Sequence, residues 1–157
     1  NIGNPEMERY AARLGADCAF FIEAEPSYAE GIGDVLMPVD GPQGNLHGYY
    51  LAVVKPDVAV NTRDAYRAIT PKKPAKCCRD IVRQPIETWK DELVNDFEAP
   101  IFEQHPELAD IKAKLYDLGA TYAAMSGSGS ALFGIFKQEP QSLKDHFEGM
   151  YCEVMKL

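Results

Sequence analysis

Thr121-Tyr122-Ala123-Ala124-Met125-Ser126-Gly127-Ser128-Gly129-Ser130-Ala131-Leu132-Phe133-Gly134-Ile135-Phe136 is the stretch on which the fold turns. Two apolar runs of strand length, 121–125 and 131–136, are joined by small residues that include two glycines. Just upstream, His105-Pro106-Glu107 opens a helix, because proline suits a first helical position and an acid suits the first turn. Leu108, Ile111, Leu115 and Leu118 mark its buried stripe, and Gly119 marks its end. Downstream, 140–149 reads as a polar surface helix and 151–155 as a last strand.

Working outward toward the N-terminus, 49–54 is continuously apolar, as a strand covered on both faces would be. Lys55-Pro56-Asp57 ends it, and Asn61 or Thr62 caps a short helix through about Ile69. Pro71-Lys72-Lys73-Pro74 breaks the chain, and weaker helical patterns follow through Ile81 and over 89–94. From residue 48 onward the order is strand, helices, long helix, strand, strand, helix, strand. Paired strands with helices on one side predict an α+β, ferredoxin-like two-layer sandwich over 48–157. Before it, Asn4-Pro5-Glu6 reads as a helix start, with Met7, Tyr10, Ala11 and Leu14 on one face and Gly15 as the stop. Residues 18–22 form a compact apolar strand candidate, and 27–30 and 35–39 flank the turn Gly31-Ile32-Gly33-Asp34. The turn-forming run Asp40-Gly41-Pro42-Gln43-Gly44-Asn45 is the best internal boundary and separates a segment 1–40 from the domain 48–157.

Composition narrows the function classes. The 157 residues are 46% hydrophobic and 25% charged, ample for a core, and the length suits about one domain. A net charge of −8 argues against nucleic acid as the main partner. It leaves room for a small anionic ligand, since backbone N–H groups hold phosphate without net positive charge. The apolar runs are too short to span a bilayer, and no charged-then-apolar leader opens the chain. The chain begins at Asn1 without an initiator Met, as a processed or excised piece would. Four cysteines without CxxC spacing suggest reduced, cytoplasmic thiols, and three scattered histidines write no zinc site.

Four places could carry chemistry. Asp17, just past a helix stop and before Cys18-Ala19-Phe20-Phe21, could accept a proton from a hydroxyl; the plain alternative is a turn or capping Asp. The loop Ser126–Ser130 could turn backbone N–H groups toward one anion, or be an ordinary glycine hairpin. Tyr66 could stack on a planar base or simply pack. Asn95-Asp96-Phe97-Glu98 offers polar groups before a proline, as a helix cap does, and Lys72, Lys73, Lys76 and Arg79 make a positive patch that a solvated loop also explains.

Taken together these residues resemble a known family. Asn95-Asp96-Phe97-Glu98, His105-Pro106-Glu107-Leu108, Ile111-Lys112, Leu115, Gly119-Ala120 and Met125-Ser126-Gly127-Ser128-Gly129 look like the C-terminal part of the GHMP kinases. Lys55-Pro56, Val60-Asn61-Thr62 and Ala65-Tyr66 are similar to the substrate segment of the 4-diphosphocytidyl-2-C-methyl-D-erythritol kinase branch. So are Leu14-Gly15-Ala16-Asp17 with Phe20-Phe21 and Ala29-Glu30-Gly31-Ile32-Gly33-Asp34. The resemblance runs through nearly the whole chain in collinear order. It implies ATP-dependent phosphorylation of the 2-hydroxyl of the methylerythritol unit, in non-mevalonate isoprenoid biosynthesis, with ATP and Mg²⁺ as cofactors. It puts Asp17 on the catalytic base, Tyr66 on the cytosine-stacking aromatic, Thr62 beside it on the substrate side, and Gly127, Ser128 and Gly129 on the loop near the phosphates. Ala19 stands where the family commonly has proline, and Ser130-Ala131 where many members have Pro-Thr.

The family's main ATP loop and catalytic lysine are expected upstream of Asn1. The resemblance therefore implies that 1–40 is the tail of the ATP-binding domain and 48–157 the substrate-side domain. A chain of this kind is expected to be inactive by itself and open to self-association. Two alternatives stay open: another GHMP kinase, for a mevalonate, homoserine or galactose type of acceptor, and a non-catalytic α+β ligand-binding module.

Overall fold

The structure is a computed structural model that describes residues 3–39 and 46–157. It divides into two units, Asn1–Asn45 and Leu46–Leu157. The turn-forming run 40–45, read as the internal boundary, lies outside the described residues.

In the first unit, α1 spans Asn4–Ala11, with Gly3 rather than Asn4 as its N-cap. It ends before Leu14, which is exposed. The strand expected over 18–22 is absent: Ala16–Ala19 is a 3₁₀ turn that runs into α2, Phe20–Glu23. A five-residue apolar run does not separate strand from helix by period. Here local bonds decide, with Cys18 N–H donating to Gly15 O at 3.1 Å and Ala24 N–H to Phe20 O at 2.8 Å. The hairpin is as expected: β1 Ser27–Glu30 pairs antiparallel with β2 Val35–Pro38.

The second unit contains β3 Tyr50–Lys55, α3 Thr62–Ala68, α4 Cys78–Ile81, a 3₁₀ turn Ile86–Thr88 and α5 Trp89–Glu92. It continues with α6 Glu98–Gln104, α7 Pro106–Asp117, β4 Tyr122–Met125, β5 Leu132–Phe136, α8 Leu143–His146 and β6 Tyr151–Lys156. Its four strands form one antiparallel sheet in the order β4-β5-β3-β6. A strand–helix–strand–strand–helix–strand chain in this order is the ferredoxin-like α+β sandwich that the sequence predicts.

The continuous apolar run of β3 is explained by apolar packing on one face and an apolar, half-buried surface on the other. Ala52 and Val54 join the main core with Leu108, Ile111 and Leu115 of α7, whereas Leu51 packs with the second cluster around Trp89, Ile81 and Ile86. Helix α7 stops where glycine can take a positive φ: Gly119 has φ +98°, and its N–H donates to Tyr116 O at 2.9 Å. Two helical expectations are refined. The helix expected over 140–149 shrinks to Leu143–His146. The stretch 95–98, read as a cap before a proline, leads into α6, which accommodates Pro100 because the proline stands in the first turn, where its missing N–H costs no intrahelical bond.

Candidate functional site

The glycine loop closes as a tight turn between β4 and β5. Gly129 N–H donates to Ser126 O at 3.0 Å, and Ser126 N–H to Ala131 O at 2.8 Å. Gly127 has φ +55° and Gly129 φ +93°, and a Cβ on Gly129 would lie 2.8 Å from Met125 Sδ. Glycine is thus required at 129 by both conformation and space. The Gly129–Ser130 peptide is cis, and Ser130 Oγ donates to Val58 O at 2.5 Å. The N–H groups of Gly127 and Ser128 make no hydrogen bond among the described residues, so two adjacent donors remain on the turn.

Helix α3 meets this loop through side chains. Asn61 is its cap, with Oδ1 accepting from Arg63 N–H at 3.0 Å and Asp64 N–H at 3.3 Å. Capping by Asn61 frees the Thr62 hydroxyl, whose Oγ1 lies 3.1 Å from Ser128 Oγ across a separation of 66 residues. Tyr66 follows one turn later, on the same face of the helix. It is 63% exposed and makes an edge contact with Phe97, at 5.0 Å between ring centroids and 78° between planes. Of the residues singled out in the sequence, the structure joins Thr62 directly to the glycine loop and puts Tyr66 one turn further along the same helix.

Asn95, Glu98 and Lys112 support the loop, although sequence reasoning gave them at most a capping role. Asn95 Nδ2 donates to Met125 O and to Gly127 O, both at 2.8 Å, while its Oδ1 accepts from Phe97 N–H at 2.9 Å. Glu98 is only 6% exposed. Its Oε1 accepts from Met125 N–H at 2.8 Å and its Oε2 pairs with Lys112 Nζ at 2.5 Å. The asparagine-to-glutamate spacing was visible, but its target is 27 to 32 residues away, where no local pattern reaches. Tyr122 completes the support by donating from its OH to Leu93 O at 2.9 Å, and burial pushes its phenol well above the ordinary range.

Asp17 belongs to the first unit. It lies in the first turn of the 3₁₀ segment and is exposed. The β1–β2 turn closes on it, since a Cβ on Gly33, at φ +99°, would lie 3.1 Å from Asp17 Oδ1. In the basic stretch Lys72–Arg79, Lys76 is engaged by Glu92 at 2.7 Å, which draws that carboxyl below its usual range. Among the described residues no cluster of three His, Cys, Asp or Glu could hold a metal, and the cysteines are free thiols. An apolar groove of about 360 Å³, lined by Leu46, Leu51, Val53, Phe133, Ile135 and Leu157, reaches Ser126 at the base of the loop. No helix among the described residues is long and apolar enough to cross a membrane.

A ferredoxin-like domain with a Met-Ser-Gly-Ser-Gly loop at the end of β4 defines a class: residues 79–151 match the family model described as GHMP kinases C terminal, and the chain belongs to the GHMP kinases. More particular relatives sharpen this. The chain is 49% identical over 152 residues to 4-diphosphocytidyl-2-C-methyl-D-erythritol kinase of Bacteroides fragilis, covering 97% of this chain and 54% of that protein. It is 46% identical over 139 residues to the kinase of the same name from Bacteroides thetaiotaomicron, covering 88% and 50%. A crystal structure of 4-(cytidine 5'-diphospho)-2C-methyl-D-erythritol kinase superposes with a TM-score of 0.76 at 26% identity, covering 96% of this chain and 57% of that one. The chain thus spans about half the length of the curated relatives it matches.

Proposed function

We propose that this chain is the substrate-side part of an ATP-dependent kinase that phosphorylates the 2-hydroxyl of 4-diphosphocytidyl-2-C-methyl-D-erythritol. The observation that carries the reading is the Thr62–Ser128 contact at 3.1 Å. It brings a helix bearing an exposed aromatic against a turn with two free amide donors, so a planar base and a phosphate can be bound side by side. Relatives of that name at 49% and 46% identity support the choice of substrate.

In this reading Tyr66 stacks on the cytosine and Thr62 offers its hydroxyl beside it. Gly127, Ser128 and Gly129 line the phosphates, and the Gly127 and Ser128 amides donate to the charge that develops on them. Asp17, exposed at the start of its 3₁₀ turn, accepts the proton from the attacking hydroxyl. Residues 1–40 form the tail of the ATP-binding domain and 48–157 the substrate-side domain. Mg²⁺ would accompany the phosphates, but the described residues offer it no cage. The isolated chain, about half the length of its relatives, transfers no phosphate by itself.

The test completes this chain with the N-terminal half of the Bacteroides fragilis relative and follows ADP release on the diphosphocytidyl substrate. Turnover is expected, with kcat reduced about 10²–10⁴-fold in Asp17→Asn. The substrate KM is expected to rise about tenfold or more in Tyr66→Ala. Turnover of a different alcohol with silence on this one would remove the substrate assignment and the stacking role of Tyr66. Phosphate transfer by the 157-residue chain alone would overturn its proposed inactivity.

A further inference from the structure

We propose that Asn95 is a positioning residue that aims the Ser128 N–H at a bound phosphate and ties that aim, through Phe97, to the ring of Tyr66. The inference rests on the kinase reading above and adds to it the group that orients the loop's donor.

The geometry follows from the peptide plane. Asn95 Nδ2 holds Gly127 O at 2.8 Å. In a trans peptide the C=O and the following N–H point in opposite directions, so holding that oxygen turns the Ser128 N–H away from Asn95. That N–H has no partner among the described residues and is left presented from the turn. The same Nδ2 holds Met125 O at 2.8 Å, which by the same rule directs Ser126 N–H, and this one is used: it closes the turn on Ala131 O. One side-chain amide therefore orients two peptide planes, one for the turn and one for a ligand.

Asn95 is itself immobilised. Its Oδ1 accepts Phe97 N–H, and the Phe97 ring supports Tyr66 from the edge. Leu93 packs in the cluster on one face of the sheet and Phe97 against the core on the other. The segment between them therefore passes around β4, the outermost strand on that side of the sheet. Glu98, buried and paired with Lys112, holds Met125 N–H on the same strand. Loop and aromatic thus hang from one bracket, packed at its Leu93 end and anchored by buried Glu98 at the other.

Asn95→Asp tests this in the completed kinase. Aspartate keeps the acceptor for Phe97 N–H but loses both donors and sets a carboxylate against two carbonyls. The exposed Glu103→Gln is the control. The expected result is a fall in kcat/KM for ATP of about tenfold or more with the substrate KM near its starting value. Phe97→Leu should do the reverse and raise the substrate KM. The amide resonance of Ser128, read by ¹⁵N NMR without ligand, should move in Asn95→Asp and stay in the control.

If Asn95→Asp lowers Tm while the kinetic constants of the folded fraction and the Ser128 resonance match the control, the role is structural and the proposal is overturned. If the completed wild type does not phosphorylate this substrate, the kinase reading falls. The Ser128 resonance then still decides whether Asn95 sets the loop: a shift sustains the positioning role, and none removes it.

Discussion

The two faces of the four-stranded sheet are covered very differently. On one side, α3, α6, α7 and α8 contribute to a core in which Leu108, Leu115, Leu132 and Val54 are completely buried. On the other, among the described residues of the second unit, the short α4–α5 region caps β4 and β5 through Ile81, Ile86 and Trp89, beside an apolar groove. The amphipathic α7 alone buries Leu108, Ile111 and Leu115, whereas the one-turn α4 and α5 bury only Ile81 and Trp89 and lean on specific bonds such as Trp89 Nε1 to Gln84 O at 3.1 Å. The difference separates two duties. The thick face buries most of the core, and the side chains that support the glycine loop, Asn95 and Glu98, lie on the connection that runs from the thin face to the thick one.

Substitutions can break or sharpen that contrast. The largest expected effect is Leu115→Ala on the thick face, about 3–5 kcal/mol by chemical denaturation, because the surrounding helices cannot close the cavity. Its counterpart Ile86→Ala on the thin face should cost about 2–3 kcal/mol, since short elements relax into the space. Equal losses would mean that the thin layer is as rigid as the thick one. Tyr122→Phe removes the bond to Leu93 O and should cost about 1 kcal/mol. It should also loosen the start of the 93–98 connection, visible as faster amide exchange there.

The smallest effect is expected at the exposed Lys137–Glu87 pair, where Lys137→Ala should leave Tm at neutral pH unchanged within error. A pH series sharpens this last case. The hydrogen bond from Lys137 holds the Glu87 carboxyl below its ordinary value of 4.5 in the folded state. Any stability it gives is present above that pH and lost as the pH falls through the lowered folded-state value. Wild type and Lys137→Ala should therefore stay indistinguishable in acid as well. A gap that opens there as the pH falls would reverse the assigned sign.

Much of this was legible in the sequence. The stripe Leu108, Ile111, Leu115 is buried as its spacing predicts, Gly119 ends the helix, and the two strands flanking the glycine loop pair as expected. These are short-range signals: a 3.6-residue period, a proline at a helix start, a glycine where φ must be positive. Short apolar runs carried no such signal. The 18–22 segment became helical because its hydrogen bonds are satisfied locally, and α6 went unread beyond its cap at 95–98 because it is short and carries a proline in its first turn.

By itself the sequence determined the element order over 48–157, the ferredoxin-like class and the glycine loop, because each depends on periodicity or on residues close together in the chain, and it carried the resemblance that names the family. Only the tertiary structure decided which side chains complete the site. Thr62 meets Ser128 across 66 residues, Asn95 reaches Gly127 across 32, and Glu98 reaches Met125 across 27. Those pairings exist because the sheet brings β4 beside β5 and β5 beside β3 and the helices pack across it. A hydrogen bond reads distance in space, and no local pattern in the chain encodes that distance.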